Sequence, residues 1–214
     1  METTLSKTRV LTEGALMVAL ATVLSVIPFI ELPHGGSITL ISMLPLVLMS
    51  LRHGVKWGVF TAFVSSLVQL FMGLKNLSYC QTVRAMVGCV LLDYILAFTA
   101  LGLAAWFAKP FKKRVTGVWV STLAVCVLRF LCSFFSGYIV WYDYQYALDW
   151  MNGFAFLAPL TKTLGEHALC WVYSFFYNAS YMLPETVLTV AGALVLYAAM
   201  PQLFGGERRA RKAD

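Results

Sequence analysis

The chain has 214 residues, 60% of them hydrophobic and only 12% charged, with a mean hydropathy of +0.76 and a formal net charge of +6. A soluble domain of this size has no use for so much apolar surface, whereas a lipid-spanning helix needs about 20 mostly apolar residues and this chain can supply several. The composition therefore excludes an ordinary soluble enzyme and predicts an all-α integral membrane protein, one domain over residues 1–214.

The first apolar run extends from about Val10 to Ile30. It is longer than the apolar core of a signal peptide, and no small-residue cleavage site with a soluble domain follows. "ELPHGG" (Glu31 to Gly36) breaks it with proline and glycine. A short second run covers about Ile38 to Leu51, with Pro45 inside, and a third covers about Trp57 to Leu74. The fourth extends from about Val83 to Phe107 and ends in the basic turn "KPFKKR" (Lys109 to Arg114). The fifth runs from about Val115 to Trp141, and the last from about Cys170 to Met200, with Pro184 expected to kink it. The expectation is a single bundle of six transmembrane helices.

Charge orients the bundle. Lys and Arg gather at the N-terminus (Lys7, Arg9), between runs two and three (Arg52, Lys56), in the turn at 109–114, and in the tail at 205–214 (Arg208, Arg209, Arg211, Lys212). Six passes place all four groups on one side, and the positive-inside rule makes that side, with both termini, cytoplasmic. The net charge is then a matter of topology, and the tail a lipid-headgroup element rather than a nucleic-acid arm.

Several chemistries find no support. The five cysteines (80, 89, 126, 132 and 170) lack metal-ligand spacing, and most lie within apolar runs, where Cys behaves as a small hydrophobe. No disulfide framework, metal site or cofactor is expected. There is no glycine-rich loop ending in Gly-Lys-Ser/Thr to hold ATP, and no grouped nucleophile, base and orienting residue, so the chain is not expected to be an enzyme.

The informative residues are charges within the apolar runs: Asp93 in "CVLLDYILAF", Arg129 in "CVLRFLC" and Glu185 in "YMLPETVL". A charge at mid-bilayer costs about 2.5–3.5 kcal/mol even on lenient scales, so such groups face the bundle interior and pair or line a pathway. Arg129 can pair internally with Asp93 or with Glu185, and Arg129 and Glu185 are candidates either for substrate contact or for such an internal ion pair. Arg129 cannot neutralise both, and the remaining negative charge suits a cation or is removed by protonation. Trp141, Tyr142, Trp171, Tyr173, Tyr177 and Tyr181 gather near the external face. They read either as an aromatic belt at the membrane interface or as a cage for a flat, cationic ligand, whose charge is attracted to ring faces. Asn178 adds an amide able to read a heteroaromatic edge. In "EGALMVALAT", Ala15 and Ala19 form a small-residue strip that admits close approach of another helix, inside the bundle or outside it.

Taken together these segments resemble the thiamine-specific substrate-binding subunit, or S component, of the energy-coupling factor vitamin transporters (the ThiT family). "LTEGALMVALA", "MLPLVLMSLRHG", "LLDYILAF", "RFLCSFFSGYIVW" and "YSFFYNASYMLPE" are similar, in order, to that family's helices 1, 2, 4, 5 and 6. The resemblance implies substrate-binding roles for Asp93, at the family's acidic position, and for Tyr94 beside it. It implies that Trp141 stacks on the vitamin and that Tyr173 and Asn178 contact it. Ser133 stands where the family often has His, and Gly36 where some members have a Trp. Trp150, Phe154 and Phe156, in the long segment 142–168, are candidates to replace that missing aromatic.

The resemblance further implies high-affinity thiamine binding from outside, docking through Ala15 and Ala19 on a transmembrane coupling subunit driven by two ATPases, and a place in the cell membrane. Two other readings stay open: a binding subunit of the same fold for another small heterocycle, such as a thiamine precursor, and a membrane scaffold or channel whose charges are internal struts.

Overall fold

The computed structural model describes residues 7–32, 36–80 and 82–204. Residues 33–35 of the "ELPHGG" break and the basic tail at 205–214 lie outside the described residues. Helix α1 (Lys7–Val26) leads into a two-stranded antiparallel ribbon, β1 (Pro28–Glu31) and β2 (Ser37–Thr39), with Ile30 opposite Ile38. Then follow α2 (Leu44–His53) and α3 (Val55–Met72). Helix α4 covers Val83–Ala108, α5 Arg114–Ile139, α6 Tyr144–Asn152 and α7 Glu166–Ala199. Five of these, α1, α3, α4, α5 and α7, are long and apolar enough to cross a bilayer; the chain is a mostly helical, multi-pass membrane protein.

The expected first two passes differ from the structure for a physical reason. The first helix stops at Val26, not Ile30, because Pro28 follows at once and the chain turns extended. The second pass is a helix of 10 residues, about 15 Å long, half of a hydrocarbon core of about 30 Å. Pro45 lies in its first turn, where its missing N–H costs nothing. The strand before it carries Ser37 and Thr39, polar residues that serve the cavity described below. At the other extreme α7 has 34 residues and continues through Pro184, so at about 1.5 Å per residue it outruns the hydrocarbon core.

Glu13 on α1 accepts hydrogen bonds from Arg52 Nε (2.9 Å) and lies 2.6 Å from His53 Nε2, both at the end of α2. Arg52 also donates to the carbonyl of Leu203 (3.4 Å). The start of α1, the α2–α3 turn and the chain beyond α7 therefore meet at one end of the bundle. Those are three of the four places where cationic residues gather, or lie just before them.

Helix α4 is not a uniform α-helix. Val90–Leu96 winds as a π-helix and Ala100–Leu103 as a 3-10 helix. The second irregularity lies where α4 crosses α3 at Gly102 and Gly58. A Cβ on Gly102 would come within 2.5 Å of the Val59 backbone, and one on Gly58 within 2.6 Å of the Gly102 carbonyl. Ser50 of α2 inserts its hydroxyl there, donating to the Gly102 carbonyl and accepting from Ala105 N–H (3.0 Å). It thus satisfies the backbone groups that irregular winding frees, a requirement where lipid offers none. Gly102→Val should force these helices apart and lower the midpoint of thermal unfolding in detergent, by the equivalent of about 1–3 kcal/mol of overpacking. An unchanged midpoint would show that the crossing is loosely packed.

Candidate ligand-binding site

At the end opposite the Glu13–Arg52 cluster, α1, the ribbon, α3, α4, α5, α6 and α7 enclose a cavity of about 920 Å³. The sequence-predicted residues Asp93, Tyr94, Ser133, Trp141, Tyr173 and Asn178 all line it, and so does Arg129; Glu185 does not.

Asp93 stands in the middle of the π-helical segment. An extra residue in one helical turn shifts the side chains that follow around the axis, and single-turn π segments recur at functional sites for that reason. Oδ2 of Asp93 accepts from Ser136 Oγ (2.7 Å) and from the Trp141 indole N–H (3.0 Å). Trp141 lies two residues beyond the end of α5 and is held there by its own backbone N–H, which donates to the Ser136 carbonyl (3.2 Å). Among the described residues no Lys, Arg or His nitrogen comes within 4.0 Å of the Asp93 carboxylate. Neutral donors orient it, and its charge stays uncompensated.

Of the two internal pairings open to Arg129, the structure has the one with Glu185, at 4.0 Å (Nη1 to Oε1). Glu185 is 1% exposed, and Oε1 also accepts from Thr39 Oγ1 (2.5 Å) and Ser42 Oγ (3.1 Å). The guanidinium of Arg129 lies over the Phe98 ring, 4.4 Å from its centre.

Other predicted residues are held by their neighbours. Tyr94 is buried, donates its hydroxyl to the Gly73 carbonyl (3.1 Å) and accepts from Asn76 (3.2 Å), so it ties α4 to the end of α3. The Asn178 amide donates to the Ser174 carbonyl (2.8 Å) and accepts from the Tyr181 hydroxyl (2.7 Å).

The aromatic residues divide. Trp141, Tyr142, Tyr173, Tyr177 and Tyr181 line the cavity. Trp171 turns away and stacks on Tyr138 (4.0 Å between centres, 11° between planes). Trp150 packs edge-on behind Tyr173 and Tyr177 (5.4 and 5.8 Å), and Phe156 packs on Phe176. Trp150, Phe154 and Phe156 are thus not on the cavity wall, and the aromatic that α6 contributes is Tyr146.

Tyr146 does not stand out in the sequence, because 142–168 reads as a long segment between apolar runs. The signals were there: Asp143 caps α6 by accepting from Tyr146 N–H (2.9 Å), and Ala147 and Met151 bury one face four residues apart. Burial and the nearby Asp143 push the Tyr146 phenol above its usual pKa. A row of small polar residues was missed as well: Ser25, Thr39, Ser42 and Gln69 line the opposite wall.

Gly36 also lines the cavity, and a Cβ there would meet the Tyr181 ring at 2.8 Å. No indole fits at 36 while Tyr181 stays, and Tyr181 takes part of the space that a tryptophan would fill. Gly36→Trp should lower the thermal midpoint, and adding Tyr181→Ala should restore most of the loss. Equal destabilisation with and without Tyr181 would contradict this coupling.

A multi-pass membrane bundle that encloses an aromatic cavity, with a carboxylate on its wall that no cation among the described residues pairs, has the form of a membrane-embedded small-molecule binding protein. Residues 11–159 match the family model described as Thiamine transporter protein (Thia_YuaJ). The chain is 32% identical over 200 residues to Thiamine transporter ThiT of Bacillus subtilis, covering 92% of this chain and 95% of that one. It is 28% identical over 204 residues to Thiamine transporter ThiT of Lacticaseibacillus paracasei, covering 91% and 90%. The solved structure of ThiT from Listeria monocytogenes superposes with a TM-score of 0.67 at 21% identity, covering 92% of this chain and 98% of that one, a likeness that establishes the fold. The chain belongs to the thiamine transporter family; it is a transport protein and not an enzyme.

Proposed function

We propose that this chain is the substrate-binding subunit of an ATP-driven vitamin importer, a single domain over residues 1–214 that takes up thiamine from the outer face of the cell membrane. The observation that carries the reading is Asp93, a carboxylate inside a membrane helix bundle that neutral donors orient and that no cation among the described residues pairs. Thiamine brings a permanent positive charge on a flat ring, and its aminopyrimidine brings donors and acceptors. The carboxylate of Asp93 faces the cation, Trp141 and Tyr173 offer ring faces, and Ser133, Tyr94 and Asn178 complete the wall.

A six-pass topology, one more than the five long apolar helices, belongs to this reading. With α2 and the ribbon counted as one pass, both termini and the basic tail at 205–214 are cytoplasmic by the positive-inside rule, and the cavity opens outward. On α1, Ala15 and Ala19 are exposed while Gly14 and Ala21 are buried. The alanine strip therefore faces away from this bundle, where a coupling subunit driven by two ATPases would approach. A second reading, the same fold serving another small heterocycle, draws on Tyr181 filling space beside Gly36, which alters the outline of the cavity.

Asp93→Asn keeps the shape and removes the charge. A charge-assisted contact of about 1.5–3 kcal/mol is lost, so thiamine affinity should fall about tenfold to a hundredfold. A neutral analogue should lose much less. Trp141→Ala should weaken both ligands, because stacking does not need charge. Calorimetric titration of each variant with each ligand decides this, and an undiminished preference for the cation in Asp93→Asn would rule the site out.

Trp at position 15 or 19 should abolish uptake by cells while ligand binding to the purified subunit stays near normal. Loss of both together would show that the strip serves the bundle's own fold.

A further inference from the structure

We infer that Cys80 and Cys89 are a reversible disulfide site beside the cavity, a thiol pair whose oxidation by a small-molecule disulfide takes a donor away from Asp93 and weakens cation binding. Formation of the bond stands on the thiols alone, and its effect on binding rests on the cation site proposed at Asp93.

The register of the chain brings the two thiols together. After α3 the segment 73–80 runs antiparallel to the first half of α4. Its start is fixed by Tyr94, whose hydroxyl donates to the Gly73 carbonyl (3.1 Å) and accepts from Asn76 (3.2 Å). Its end is fixed by the Cys80 N–H, which donates to the Leu77 carbonyl (3.1 Å), and by Thr82, which caps α4 by accepting from Ala85 N–H (3.1 Å). Asn76 meets Tyr94, so Cys80, four residues further along the segment, comes level with Cys89, five residues back on α4. The two side chains are in hydrogen-bonding contact there, and both are free thiols. Cys126 and Cys170 bond Thr186 and Tyr142 instead.

The pair is coupled to the ligand site. Cys89 is buried, lines the cavity and makes its second contact with Asp93, one turn on. As a thiol it is a third neutral donor to the carboxylate, beside Ser136 and Trp141. Cys80 is half-buried and is not on the cavity wall.

Oxidation proceeds by two exchanges. The Cys80 sulfur attacks the small-molecule disulfide, forms a mixed disulfide and releases one small thiol. The Cys89 sulfur then attacks the Cys80 sulfur of that mixed disulfide and releases the second. Two protein thiols are oxidised, one small disulfide is reduced to two thiols, and the two protons end on the released sulfurs. Burial raises the Cys80 thiol above its usual pKa, so the exchange is slow at neutral pH. In the product Cys89 has no S–H. Asp93 is held by two donors instead of three and is less firmly preorganised for a cation.

The test uses the full-length protein in mild detergent, before and after prolonged incubation with oxidised glutathione. The intact mass should fall by two hydrogens, and peptide mapping should find Cys80 joined to Cys89. In calorimetric titration thiamine affinity should fall about twofold to tenfold and return on reduction with dithiothreitol. Cys80→Ser should bind thiamine as the reduced protein does and be unmoved by the oxidant.

An unchanged mass overturns the inference, and so does glutathione left on Cys80 with no joined pair. A joined pair with unchanged affinity overturns it as well, as does an oxidant effect on affinity that persists in Cys80→Ser. Failure of the reduced protein to bind thiamine sinks the parent reading and the binding effect with it, while the joined pair is still decided by the mass.

Discussion

An unneutralised carboxylate inside a membrane helix bundle is the constraint around which the rest of the structure is arranged. A charge at that depth costs about 2.5–3.5 kcal/mol on insertion scales, and among the described residues no salt bridge offsets it. Instead Arg129 pairs with Glu185, and Asp93 is left to Ser136 and the Trp141 indole. The π-helical turn carries the carboxylate, and the end of α5 is tied so that the indole reaches it. The tyrosines of α6 and α7 then enclose the space in front. Each feature is awkward for stability alone and coherent for binding a cation.

The cavity has two chemically different ends, joined by α4 and α5. Near Asp93 the wall is anionic and aromatic. Toward Arg129 it is cationic but balanced, with hydroxyls from the strand and the turn before α2. That strand explains why the second pass is so short. The chain gives up helix there to bring Thr39 and Ser42 beside Glu185, and so fixes the partner that positions Arg129. The opposite end of the bundle holds a separate ion cluster, Glu13 with Arg52 and His53, outside the cavity lining.

Much of this was legible in the residues. Asp93, Trp141, Tyr173 and Asn178 stood out because a charge or an aromatic in an apolar run is conspicuous, and all four line one cavity. The Ala15 and Ala19 strip was visible, but not the direction it faces. That depended on Gly14 packing on Thr61, where a Cβ would lie 3.0 Å from the threonine hydroxyl. The choice of Glu185 over Asp93 as the partner of Arg129 was not legible either, because both acids were expected at similar depth and only the relative rotation of α4 and α7 separates them. The π-helix left no trace, since an inserted residue among Val, Leu and Ile does not disturb an apolar pattern. Helix α6 was missed because its amphipathic signal lies in a segment otherwise rich in turn residues.

The measurement that tests the central claim most directly is native mass spectrometry of the intact protein, purified in mild detergent from cells grown with thiamine. The account predicts one adduct with the mass of thiamine, in a ratio of one to one, that exchanges for isotopically labelled thiamine added outside. A different small molecule at that stoichiometry, or a protein that stays bare while thiamine is in excess, would contradict it.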